Sequence, residues 1–230
     1  MPVTLLTVRT NVRARLDEAA ATFWTDAQLN TWINEGARDV GRRVEIFEKK
    51  GTIAVVANTQ GYAAPSDVGS RIYRLEWLPT GQTSNYPLEY MDYASADSVW
   101  GSQQTVTTGY PLVWTMWGFP GSSNLTITLY PVPSVNGTLN VFYYRLPATA
   151  VADGDTVEVP EGWHDLVEMY AEWNALRKDG DKRWIEAKTI YDERLGEMRD
   201  LIGTRYTDQG DQMQPYGAGA LPYWLYDSGP

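Results

Sequence analysis

Val159-Pro-Glu-Gly-Trp-His-Asp-Leu-Val-Glu-Met-Tyr-Ala-Glu-Trp173 is where the chain changes character. Thr156 to Val159 reads as a last short strand, and Pro160 and Glu161 stand as at a helix start. Trp163, Leu166, Tyr170 and Trp173 then recur three and four apart, which puts them on one helical stripe. Downstream, Asp179-Gly180-Asp181 breaks that helix. A final helix carries Trp184, Lys188, Tyr191, Leu195, Met198 and Ile202 along one face, with Arg183, Glu186, Asp192, Glu193 and Arg199 opposite, and runs out near Arg205.

Upstream of the switch the pattern is β. Thr52 to Val56 is rich in β-branched residues, Asn58 to Gly61 is a turn, and Arg71 to Leu78, Leu112 to Trp117, Leu125 to Tyr130 and Leu139 to Arg145 read as strands between Gly, Pro, Ser and Asn clusters. Tyr90 to Trp100 reads as one short helix among them. Further upstream the period of 3.6 returns. Leu5, Val8, Val12 and Leu16 predict a first helix from Thr4 to about Ala20, with Arg9, Arg13 and Arg15 on its other, solvated faces. Thr25-Asp-Ala-Gln28 is a capping-box pattern with Trp24 as a staple. It predicts a second helix through Leu29, Ile33, Ala37, Val40, Val44 and Phe47, closed by Lys49-Lys50 and Gly51.

The expected fold class is therefore α+β: a helical bundle of N- and C-terminal helix pairs, an inserted antiparallel β lobe, and an extended C-terminal arm. The units are residues 1–50, the N-terminal helix pair; 51–157, the β lobe; 158–205, the C-terminal pair; and 206–230, the arm. Prolines and glycines break every periodicity in the arm, yet Tyr216, Leu221, Tyr223, Trp224, Leu225 and Tyr226 carry more apolar surface than a solvated tail needs. These six residues are the candidate docking site. A tail folded back over its own domain is the plainer reading; docking on a neighbour or partner is the functional one.

Composition narrows the function. Ten Trp and fifteen Tyr against four Phe favour aromatics that tolerate water before assembly buries them. A net charge of −10 excludes a basic footprint that grips phosphates, and a surface of that sign lets DNA pass. Without cysteine there is no disulfide, thiol nucleophile or thiolate metal site. The amino terminus lacks the apolar run of a secretory signal and no stretch has the length of a membrane span, so a soluble protein made in the cytoplasm is expected.

Catalytic signals are weak. His164 is the one histidine, and the adjacent Asp165 cannot face it along a helix. Asp153-Gly-Asp155 lacks the distal glutamate of a calcium loop and reads as a tight turn. Glu158, Glu161 and Asp165 are a candidate carboxylate set in a chain with 29 acidic residues, where such clusters arise by chance. Trp77, Trp100, Trp114 and Trp117 suggest a sugar-binding face, but the three-residue spacing of Trp114 and Trp117 puts them on opposite sides of a strand. No P-loop or dinucleotide fingerprint is present. The expectation is no enzyme, no cofactor and no metal.

Val8-Arg-Thr-Asn-Val-Arg-Ala-Arg-Leu-Asp-Glu18, Phe23-Trp-Thr-Asp-Ala-Gln-Leu29 and Trp32-Ile-Asn-Glu-Gly-Ala-Arg38 resemble the start of the head-to-tail adaptor, or connector, proteins of tailed bacteriophages. Leu125-Thr-Ile-Thr-Leu-Tyr-Pro-Val-Pro133, Leu139-Asn-Val-Phe-Tyr-Tyr-Arg-Leu-Pro147 and Val159-Pro-Glu-Gly-Trp163 are similar to the way such adaptors return from a β insertion. The resemblance implies a virion structural protein at the neck: a homo-oligomeric ring, usually dodecameric, with the portal protein above, tail or stopper proteins below, and double-stranded DNA passing through the lumen without specific binding. It implies no membrane partner and no catalytic residue. The rival readings are a carbohydrate-binding β module on a helical scaffold and a tail-completion or stopper ring.

Overall fold

The computed structural model describes residues 3–18, 21–100, 108–120 and 124–210, with side chains to Gly203. In chain order it holds α1 (Leu5–Arg15), α2 (Asp26–Val44), β1 (Glu48–Val55), β2 (Gly61–Ala63), β3 (Val68–Pro79), β4 (Tyr86–Tyr90), α3 (Tyr93–Trp100), β5 (Thr108–Gly109), β6 (Val113–Trp117), β7 (Thr126–Tyr130), β8 (Val132–Pro133), β9 (Gly137–Arg145), α4 (His164–Asp179) and α5 (Trp184–Gly210). The class is α+β, as the alternation of periods requires.

Local chemistry accounts for most boundaries. The Thr25 hydroxyl accepts from the Gln28 N–H and the Gln28 side chain accepts from the Thr25 N–H, so the capping box forms and fixes the start of α2. Trp24, just outside the cap, is buried in the same cluster as Leu29. Gly180 closes α4 in the left-handed region at φ 80°, where a side chain would be strained.

Other boundaries move. α1 stops at Arg15, short of Ala20, because Leu16 and then Asp17, at φ 53°, turn the chain. α2 ends at Val44: Glu45 adopts a left-handed conformation, and Lys49, Lys50 and Gly51, read as a helix end, belong to β1. There Lys49 pairs with Asp67 at 2.6 Å across the sheet instead of complementing a helix dipole. Thr156 to Val159 makes a single bridge, Thr156 to Thr4, and no strand; Val157 and Val159 serve the helical core instead. Pro160 and Glu161 lie ahead of α4, which begins at His164, and α5 continues five residues past Arg205.

The seven-stranded sheet has the order β1-β9-β3-β4-β6-β7-β2 and is antiparallel except between β4 and β6. A parallel neighbour needs a crossover, and α3 lies in that connection. Both edges of the sheet feed one core, since Val55 of β1 and Tyr62 of β2 join Trp77, Trp114, Ile127, Leu129, Leu139 and Val141. The Tyr62 hydroxyl accepts from the Val56 N–H at 3.3 Å and donates to its carbonyl at 3.0 Å, so the sheet curls nearly into a barrel. Gly137 is required where β9 passes β3: a Cβ there would lie 2.5 Å from the Leu78 carbonyl oxygen and 2.8 Å from Trp77 Nε1.

The helices bury two further clusters. Leu5, Val8 and Val12 of α1, Leu29, Ile33 and Ala37 of α2, and Val167, Ala171 and Ala175 of α4 form one. Val40 and Val44 of α2, Leu166 and Trp173 of α4, and Tyr191, Leu195 and Met198 of α5 form the other. Each such large side chain contributes about 1.5–3 kcal/mol on burial, far above the few tenths that separate helix propensities, so packing sets these helices.

Candidate interaction surface

The second helical cluster opens at its edge into a groove. Ile46 and Phe47 come from the link between α2 and β1, Trp163 precedes α4, and Met198, Leu201 and Ile202 come from the C-terminal half of α5. Leu201 is 54 % exposed, while Met198 beneath it is fully buried. Two guanidinium groups lie over the aromatic walls, Arg145 over Phe47 at 5.2 Å and Arg194 over Trp163 at 4.3 Å. Glu48 and Glu161 also line the groove.

Beyond Ile202 the surface turns basic. Arg42, Arg43, Arg71 and Arg199 surround a depression that shares Ile202 with the apolar groove. Arg43 is paired with Asp39 at 3.1 Å and Asp192 at 3.2 Å, and Arg71 with Glu45 at 2.8 Å. Arg42 and Arg199 make no ion pair among the described residues. In a chain of net charge −10 this is a local reversal of sign.

The sequence-predicted docking residues Tyr216, Leu221, Tyr223, Trp224, Leu225 and Tyr226 lie outside the described residues, as does the rest of 211–230. Residues 206–210, read as the root of the arm, are helical and continue α5.

The chemical candidates are dispersed. Glu158 accepts from Arg145 at 2.7 and 3.2 Å and from the Ala148 N–H, whereas Asp165 pairs with Arg194 at 3.0 Å, so the candidate carboxylates serve separate structural contacts. His164 is half-buried, and burial pushes its pKa down. Asp153-Gly-Asp155 is a turn: Asp155 accepts from the N–H groups of Val151 and Ala152, and Asp153 pairs with Arg9 at 2.9 Å. Trp77 and Trp114 are core residues; Trp117 is 64 % exposed against Tyr93, and Trp100 packs beside Ala96 and Tyr130. The tryptophans therefore form no flat platform for a sugar.

Of the α1 arginines only Arg15 is on an exposed face, where it pairs with Glu168 and Glu172. Arg9 and Arg13 are buried, and Arg13 donates to Glu18 at 3.0 Å, to Asp26 at 2.6 Å and to the Trp24 carbonyl at 2.8 Å. The hydrogen bond from Arg13 holds Asp26 below the usual carboxylate range, and that from Arg145 does the same for Glu158. A depressed folded-state pKa gives stability above the unfolded value, about 4, and loses it as pH falls below that. A series of thermal melts from neutral pH into acid is therefore expected to stay level to about pH 4 and fall below it.

No helix among the described residues is long and apolar enough to cross a membrane, and no group of three or more metal-ligating side chains is brought together there. The family model described as SU10 adaptor protein matches residues 3–218, which takes in every helix and strand of the fold. No curated protein matches the chain. The matched span ends before Leu221, so the densest aromatic run, residues 221–226, lies beyond it. With the match covering nearly the whole chain, the protein belongs to the SU10 adaptor protein family, a family of bacteriophage structural adaptors and not of enzymes.

Proposed function

We propose that this chain is a head-to-tail adaptor of the phage neck, whose copies form a ring between the portal protein and the tail with DNA passing through the lumen. The observation that carries the reading is the family match over the entire described fold. In this reading α1, α2, α4 and α5 act as one module and the sheet, which begins at Glu48, as a second. Residues 206–230 are the docking arm, with Tyr216, Leu221, Tyr223, Trp224, Leu225 and Tyr226 as its contact residues. The acidic balance suits a channel that DNA must traverse without being held. A ring follows from a heterologous contact, in which one face of a subunit meets a different face of the next and the rotation closes.

The test is the mass in solution, by size exclusion with light scattering, of the chain alone and mixed with its cognate portal ring. A discrete ring or a stable portal complex is expected. A monomer in both cases overturns the reading, and binding only to a portal that already carries another adaptor reassigns the chain to a stopper or tail-completion ring.

A further inference from the structure

The apolar groove at the C-terminal half of α5 has the chemistry to hold an aromatic peptide with acidic flanks: hydrophobic walls lined also by Glu48 and Glu161, guanidinium groups stacked on its rings, and an arginine rim in which Arg42 and Arg199 make no ion pair among the described residues. This chain carries such a peptide. After Arg205 it contains Asp208, Asp211 and Asp227 and no Lys or Arg, together with Leu221-Pro-Tyr-Trp-Leu-Tyr226. Length also matches. α5 carries the chain eight residues past Ile202, about 12 Å at 1.5 Å per residue. Ten residues, 211–220, span up to about 33 Å when extended, and Pro215, Gly217 and Gly219 lie among them. That is enough to reverse direction and set residues 221–226 back over Leu201 and Ile202. A tethered segment of this length is present at an effective concentration of the order of millimolar, well above a neighbour's copy in dilute solution.

We infer that in the free subunit residues 221–226 sit in the groove of their own chain, between Phe47, Trp163 and Leu201, with the arm's aspartates towards Arg42, Arg71 and Arg199. The inference rests on the reading of 206–230 as a docking arm and adds where that arm waits. Storage in cis keeps Tyr223, Trp224 and Tyr226 out of water before assembly and leaves the groove vacant once the arm engages its partner.

The chain has no cysteine, so Ser228→Cys gives a single attachment point for a nitroxide label on the full-length protein. With label and isotope on the same chain, the amide signals of residues 46–47, 163 and 198–202 are expected to lose intensity, and to do so equally after dilution into unlabelled protein. Leu201→Asp and Arg199→Glu change exposed side chains and are each expected to restore much of the intensity while the remaining spectrum stays put. Loss seen only when label and isotope are on different chains assigns the groove to a second copy and overturns the inference. So does an absence of loss, or loss that Leu201→Asp leaves unchanged. If the arm proves necessary for joining the portal and yet gives no loss in the free chain, the inference falls while the proposed function stands.

Discussion

Cut after Gly210, the chain is expected to fold as before and to lose its hold on the portal ring or on its neighbours. The cut belongs there and not after Arg205, because residues 206–210 extend α5. Among the described residues the hydrophobic clusters are built from positions up to Ile202, and a chain that keeps them is expected to keep its helical signal and a cooperative melt. What is lost is a compact set of large side chains. Leu221, Tyr223, Trp224, Leu225 and Tyr226 each contribute about 1.5–3 kcal/mol when buried, against about 1–2 kcal/mol per residue for ordering the backbone. A net loss of about 4 kcal/mol corresponds to roughly a thousandfold in Kd. Trp224→Ala alone, as the largest anchor, is expected to cost about 2 kcal/mol or more, near thirtyfold. Titration of labelled chain against the portal ring measures both, and equal binding by the truncated and full chains would remove the arm from the mechanism.

How far the sequence foretold this molecule depends on how local each signal was. The capping box at Thr25 and Gln28 and the stripe from Leu29 to Val44 are complete within a few turns, and both formed. The β-branched run from Thr52, the alternation from Arg71 to Leu78 and the run from Leu139 to Arg145 are each contained in one strand, and all lie in the sheet except Val56, which follows β1. The misread residues are those whose partners are remote in sequence. Lys49 and Lys50 fit a helix end by type, but β9 pairs with them as a strand. Arg9 and Arg13 fall off the apolar line of α1, which suggests solvent; the structure surrounds that face with Glu18, Asp26 and Asp153, an acidic shell drawn from three separate segments. The groove could not be seen in any window of sequence, since Ile46, Trp163 and Leu201 are contributed by elements more than a hundred and by nearly forty residues apart. The arm stays a reading of sequence, since residues 211–230 lie outside the described residues: apolar surface with no local means of burial.

Arg13→Ala should destabilise the fold by about 3 kcal/mol, because it strands the carboxylate of Glu18, which the fold has already withdrawn from water. Glu18 is only 10 % exposed; its Oε1 accepts from the N–H groups of Thr22, Phe23 and Trp24, and its Oε2 takes the guanidinium of Arg13. Asp26, more exposed, shares that guanidinium and also faces Arg9 at 3.5 Å. The same group donates to the Trp24 carbonyl, so one side chain ties α1, Glu18, Trp24 and the first turn of α2 together. At about 2–4 °C per kcal/mol for a chain of this size, the melting temperature should fall by about 6–12 °C. Arg13→Lys keeps the charge but offers a point donor in place of a fork, and should recover only part of the loss. The diagnostic is pH. If the cost comes from stranded carboxylates, it must shrink as Glu18 and Asp26 are protonated, so the gap between Arg13→Ala and the unchanged protein should narrow below about pH 4. A gap that stays constant through that range would mean that Arg13 acts through packing of its aliphatic stem against α2, and that the ion-pair account of this corner is wrong.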